Sequence, residues 1–205
     1  MCDASGMGRR PLVILVEGPS DVASLRALAA SRGLDQAQHD FQLVSMGGVT
    51  NIRHHLTRLE TEHPSARRAG LCDGPEERFF ARALRAQGHQ VESREDMERL
   101  GFFVCERDLE EEVIRALGPE TAEEVLADVR LLGRFRTFQR QPEWRDRPLD
   151  EQLRRFTGVA SGRKVLLAER FAELLTPANT PRPLASLLRL IESREPADES
   201  VRLVH

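Results

Sequence analysis

The stretch LVILVEGPSD, Leu12 to Asp21, constrains the fold more than any other part of the chain. Five consecutive apolar residues, Leu12–Val16, read as a strand buried on both faces, the kind found inside a parallel sheet. The strand ends on a carboxylate, Glu17, and the chain turns at once through Gly18-Pro19. A helix then follows over residues 20–32, with Val22, Leu25, Leu28 and Ala29 on one face. The same alternation repeats downstream. FQLVS at 41–45 reads as a second strand, and after Gly47-Gly48 a helix capped by Thr50 runs to about Glu62. AGLCD ends a third strand on Asp73, with a helix over 76–87. GFFVC at 101–105 is a fourth strand, followed by an amphipathic helix in RDLEEEVIRAL that ends at Gly118. Strand and helix alternating four times predict an α/β fold, a sheet of about four parallel strands with helices on both faces. In such sheets ligands bind beyond the carboxyl ends of the strands.

From Pro119 onward the pattern changes to helices without strands, over 120–132, 149–156, 163–175 and 184–193, while Gly133–Pro148 shows no clear period. The sequence therefore divides into a sheet domain, 1–118, and a C-terminal helical extension, 119–205. A length of 205 residues is enough to bury a substantial core. No apolar run approaches the roughly 20 residues of a membrane helix, and MCDASGMGRR lacks the apolar stretch of a signal peptide, so no membrane partner and a cytoplasmic location are expected. Cys2, Cys72 and Cys105 are too widely spaced to suggest a disulfide framework or a zinc site.

Two features of the charge are informative. Lys164 is the only lysine among 30 basic residues, so an ammonium has been kept where arginine is otherwise the rule. The net charge of −3 also conceals an asymmetry: residues 1–129 carry 15 basic and 23 acidic side chains, whereas 130–170 carry 11 and 5. An acidic front half beside a basic segment suits cations in one place and a polyanion next to them, although two solvated faces would give the same tally.

The strand reading places Glu17, Asp73 and, after the fourth strand, Asp108 and Glu110 along one edge of the sheet. Carboxylates gathered in this way repel one another unless a cation lies between them, and their hard oxygens suit Mg²⁺ or Mn²⁺. Asp21 belongs to the first turn of a helix, where the dipole alone would favour it. VEGPSD, then SMGG after the second strand and LCDG after the third, resemble the Toprim domain of topoisomerases, bacterial primases and the nucleases of the OLD family. The resemblance covers about the first 115 residues. It implies a compact, Rossmann-like parallel sheet and a divalent-metal site in which Glu17 and Asp73 are central ligands. Asp21, four residues after Glu17, and Asp108-Leu109-Glu110 after the fourth strand resemble the OLD branch in particular, as does a lysine on a later helix, here Lys164. The chain departs from the family's Asp-x-Asp motif, because Asp73 is followed by Gly74-Pro75. Glu76 or Glu77 could take that place by a longer reach, and Glu76 serves equally well as a helix-start charge. No GxxxxGK[ST] motif is present, so any ATPase would be a separately encoded partner.

The resemblance implies a nuclease acting on DNA through two ions. Glu17, Asp21, Asp73, Asp108 and Glu110 would hold the metal, and Glu17 and Lys164 would serve catalysis, Lys164 by neutralising charge on the phosphate. The basic segment, with Arg134, Arg136, Arg140, Arg145, Arg147, Arg154, Arg155 and Arg163, offers contacts to nucleic-acid phosphates. The interleaved Phe135, Phe138, Trp144 and Phe156 are either stacking platforms or core. Two other readings stay open: a non-catalytic Toprim module that binds nucleic acid or protein, and a stand-alone Toprim ribonuclease.

Overall fold

The computed structural model describes residues 10–158 and 161–193; Cys2 and the two chain ends lie outside them. The chain begins with β1 (Leu12–Val16), α1 (Pro19–Ser31), α2 (Gln36–His39) and β2 (Phe41–Ser45). It continues with α3 (Ile52–Glu62), β3 (Arg67–Cys72), α4 (Glu77–Ala86), α5 (Arg94–Arg99) and β4 (Phe102–Val104). Then come α6 (Leu109–Leu117), α7 (Pro119–Asp128), α8 (Leu132–Gln139), α9 (Leu149–Gly158), α10 (Ser161–Glu173) and α11 (Arg182–Glu192). The four strands form one parallel sheet in the order β2-β1-β3-β4.

β1 occupies an interior position and all five of its residues are buried. Its side chains alternate between two cores, as the pleat requires. Leu12, Ile14 and Val16 face a core built with α1 and the helices from α6 onward, while Val13 and Leu15 face one built with α3, α4 and α5. Burying each such side chain contributes ~1.5–3 kcal/mol, which explains why a run with no polar break is favoured here.

The first core does not stop at the sheet. Leu126, Phe135, Leu153, Phe156, Leu167, Phe171, Leu184 and Leu187 of the later helices belong to the same apolar cluster as Leu12 and Ile14, and α10 lies along α1. The helices after Pro119 thus extend the core on one face of the sheet, α11 against β3 and β4 and α10 against α1.

The strands fall where the apolar runs place them, with β3 beginning two residues earlier, at Arg67, and β4 reduced to three residues. The helical region differs from expectation in one respect. Instead of one helix over 120–132, α7 stops at Asp128 and a separate α8 occupies 132–139, where the sequence shows no clear period. The break is a left-handed Arg130 (φ 59°), and the Leu131 amide donates back to the Leu126 carbonyl. This C-terminal motif is usually marked by glycine, and with arginine in that position the sequence gives no signal of it.

Candidate metal centre and phosphate cleft

Parallel pairing determines which chain ends meet. β1 and β3 are neighbours, so Glu17 and Asp73, each the first residue beyond its strand, emerge side by side at the carboxyl rim. A third carboxylate reaches them from the loop after β3. There the chain enters a short 3₁₀ turn, Gly74–Glu76, with Pro75 in its first turn. Gly74 is needed at this point because a Cβ would fall on the Glu106 carbonyl oxygen, and its amide donates to the Arg107 carbonyl. The turn delivers Glu76. One carboxylate oxygen from each of Glu17, Asp73 and Glu76 lies within 4.8 Å of the other two.

The electrostatics of this triad are those of crowded acids. Burial, followed by the charges of Asp21, Asp108, Glu110 and Glu17, pushes the Asp73 carboxyl up to about 8. Glu76 rises to about 7 through burial and then its hydrogen bond and charge contact with Glu17. Asp21 rises to about 6, again chiefly through burial, even though its Oδ2 accepts from the Gly18 amide at 2.9 Å and so closes the first turn of α1. Without a cation the site therefore holds protons at neutral pH. One atom bears directly on whether an ion fits: Glu76 Oε2 is buried and has no hydrogen-bond partner among the described residues. A buried anionic oxygen without a donor is costly. Three carboxylates, Glu76 with an orphaned oxygen among them, form an all-oxygen donor set of the kind a hard divalent cation takes.

The remaining residues singled out in the sequence form a second group beside the triad. β4 leads into α6, whose N-cap is Asp108, with Oδ1 accepting from the Glu111 amide at 2.8 Å. Asp73 is tied to the same turn, since its Oδ1 accepts from the Leu109 amide at 3.2 Å. Asp108 Oδ2 is held by Arg154 of α9, through Nε at 2.5 Å and through Nη2. Two residues along α6, Glu110 Oε1 pairs with Lys164 Nζ of α10 at 2.8 Å. Burial alone would lower the lysine's proton affinity. The Glu110 bond and the charges of Asp21 and Asp73 outweigh it, so Lys164 titrates above the ordinary range and is an ammonium throughout the physiological span. Asp73, Asp108, Glu110, Arg154, Arg155, Gly158 and Lys164 line a single cleft of about 230 Å³.

The structure thus brings Glu17, Asp73 and Glu76 into one cluster, with Asp21 within electrostatic reach, and sets Asp108 and Glu110 beside it, each already holding a cation of the helical extension. The arginines of the basic segment divide. Arg136 grips Glu123 with both ends of its guanidinium, and Arg145 pairs with Asp146. Arg140 donates to Thr137 at 3.4 Å. Arg163 stacks 4.3 Å over the Phe156 ring, and burial, followed by the positive charge of exposed Arg134, lowers its proton affinity. Phe135 and Phe156 are buried and pack with Phe138 and Trp144 as a ring cluster, so the phenylalanines are core rather than platforms. The position of Arg154 at the cleft is not visible in the sequence, because nothing marks it apart from its basic neighbours.

A four-stranded parallel sheet covered by helices, with acids converging at its carboxyl rim, is the arrangement expected of a Toprim-type domain. Residues 11–61 match the family model described as "Overcoming lysogenization defect protein-like, TOPRIM domain". Over these residues, about a quarter of the chain, the sequence is similar to the Toprim domain of the OLD family. Among solved structures, the C-terminal region of the Xanthomonas campestris pv. campestris OLD protein superposes with a TM-score of 0.65 at 22% identity, over 89% of this chain and 94% of that one. The C-terminal region of the Burkholderia pseudomallei OLD protein does so with a TM-score of 0.66 at 17% identity, over 91% and 98%. These likenesses establish a shared fold that includes the helical extension. No curated protein sequence matches the chain. Among the described residues no helix is long and apolar enough to cross a membrane.

Proposed function

We propose that this domain is a divalent-metal-dependent nuclease that hydrolyses phosphodiester bonds of DNA, with Mg²⁺ or Mn²⁺ as cofactor. The observation that carries the reading is the acidic triad with its orphaned Glu76 oxygen, set beside a permanently charged Lys164. Glu17, Asp73 and Glu76 would hold one ion, and Asp21, Asp108 and Glu110 are the donors available to a second. When bound, the metal would supply Lewis-acid polarisation of a phosphoryl oxygen.

The chain's own groups do the rest. Lys164 is a compact point donor that stabilises charge developing on the phosphate, and Glu110 keeps its Nζ at the mouth of the cleft. Asp21 stiffens the β1–α1 turn through the Gly18 amide and so orients Glu17. Arg134 on α8 and Arg140 just beyond it are the exposed arginines best placed to follow a nucleic-acid backbone, because Arg136 and Arg145 already have carboxylate partners.

The test is purified protein with plasmid and linear DNA in Mg²⁺ or Mn²⁺, with RNA in parallel. Cleavage that disappears in Glu17→Gln and Lys164→Ala supports the reading. No cleavage, or cleavage that survives both substitutions, refutes it, and cleavage confined to RNA reassigns the substrate.

A further inference from the structure

The cleft beside the triad contains more positive charge than metal binding requires. Its lining has three carboxylates, Asp73, Asp108 and Glu110, against three cations, Arg154, Arg155 and Lys164. For a site whose only task was to hold an ion, the cations would be counterproductive, since they compete for the ligands. A site that takes a cation and an anion together needs both.

Arg154 is the most informative of the three. Its Nε and Nη2 lie on one oxygen of Asp108, while Nη1 makes no hydrogen bond among the described residues and the side chain is 39% exposed. A guanidinium held from one side and open on the other is pre-oriented, and its planar fork matches the two non-bridging oxygens of a phosphodiester. Arg155, the next residue of α9, is exposed in the same cleft. At Gly158 there is no side chain to fill the floor of the α9 end.

We propose that Arg154, with Arg155 beside it, forms a phosphate-binding subsite in this cleft, gripping a nucleic-acid phosphodiester adjacent to the acidic triad, with Asp108 as the tether that aims Arg154. The inference rests on the nuclease reading for its choice of ligand, but its test does not depend on cleavage.

Binding is measured in EDTA by fluorescence anisotropy of a labelled single- or double-stranded oligodeoxynucleotide over a range of salt concentrations. Arg154→Gln is expected to weaken affinity roughly ten-fold and to lower the salt slope by about one. Asp108→Asn keeps a helix-capping side chain and removes the tether's charge, so it separates the two roles open to the arginine. A phosphate ligand still matters in that background, and Arg154→Gln should again weaken affinity, by less than ten-fold because the arginine is no longer firmly aimed. A mere strut has already lost its partner there, so absence of any further loss overturns the proposal, as does an unchanged salt slope or the absence of oligonucleotide binding by the unsubstituted protein. Arg154→Lys retains the charge; it should recover the salt slope but only part of the affinity, and full recovery refutes the role of the fork. Cleavage by the unsubstituted protein in Mn²⁺ is scored separately. Arginine-dependent binding without cleavage leaves the subsite standing and refutes the nuclease. Cleavage with binding indifferent to Arg154 does the reverse.

Discussion

Asp73→Asn offers the sharpest test of the crowded-acid description of the rim. The substitution is isosteric and keeps the oxygen that accepts from the Leu109 amide. In the ion-free protein the Asp73 carboxyl titrates at about 8, against an ordinary 3.8. The folded chain therefore holds a proton that the unfolded chain releases, and stability falls as pH rises from about 4 through about 8. For one such proton each pH unit between 5 and 8 amounts to ~1.36 kcal/mol, a ceiling of about 4 kcal/mol over that interval. Relaxation and water around a half-buried rim group reduce this, and we expect about 2 kcal/mol. For a domain of this size that is a difference of ~4–8 °C in melting temperature. Calorimetry of both proteins in EDTA at pH 5 and pH 8 measures it. Asp73→Asn should gain on the unsubstituted protein as pH rises, and Mn²⁺ at pH 8 should raise the melting temperature of the unsubstituted protein while doing little for the variant. A gap that stays constant or narrows between pH 5 and pH 8 would refute the argument, because repulsion and desolvation at Asp73 would then not be what the cation relieves.

Other substitutions address separate parts of the structure. Lys164→Met should reduce cleavage by roughly 10²–10³-fold, the scale of a lost transition-state donor. Its unfolding free energy should change by less than about 1 kcal/mol, since the Glu110 pair is partly solvated. Gly74→Ala should destabilise by about 3 kcal/mol or more in urea unfolding, because the new methyl group meets the Glu106 backbone and not a side chain that can move aside. Phe135→Ala, in the fully buried centre of the helical extension, should cost ~3–5 kcal/mol. That loss should appear as one cooperative transition with the sheet, since both share one core. Cys72 and Cys105 are buried, and burial pushes both thiols well up, so a thiol reagent should leave them unmodified until the protein unfolds.

The parts of the fold that were legible in the sequence are those whose signals are local. β1 and β2 are visible because a strand with a buried face cannot hide its apolar run, and α6 announces itself through the amphipathic pattern of RDLEEEVIRAL and the glycine that ends it. The α7–α8 break was not legible because a left-handed arginine has no sequence signature. The site divides in the same way. Glu17 and Asp73 could be placed because strand adjacency determines where their chain ends emerge. The pairing of Asp108 with Arg154, 46 residues apart, depends on how α9 lies against α6, and no local pattern encodes that approach. The aromatic residues of the basic segment were ambiguous for a related reason: Phe135 and Phe156 become core only because the extension folds back over the sheet.

The 3₁₀ turn after β3 has a consequence for how acidic motifs are compared between proteins. In extended chain, positions two apart project the same way, which gives an Asp-x-Asp spelling its meaning. One tight helical turn has a repeat of three, so the residue that returns to the same side is the third one on. With a Gly-Pro bend in place of the extended step, the acid that comes back beside Asp73 and Glu17 is the third residue on, Glu76. A comparison of aligned columns at the second place alone does not register that carboxylate.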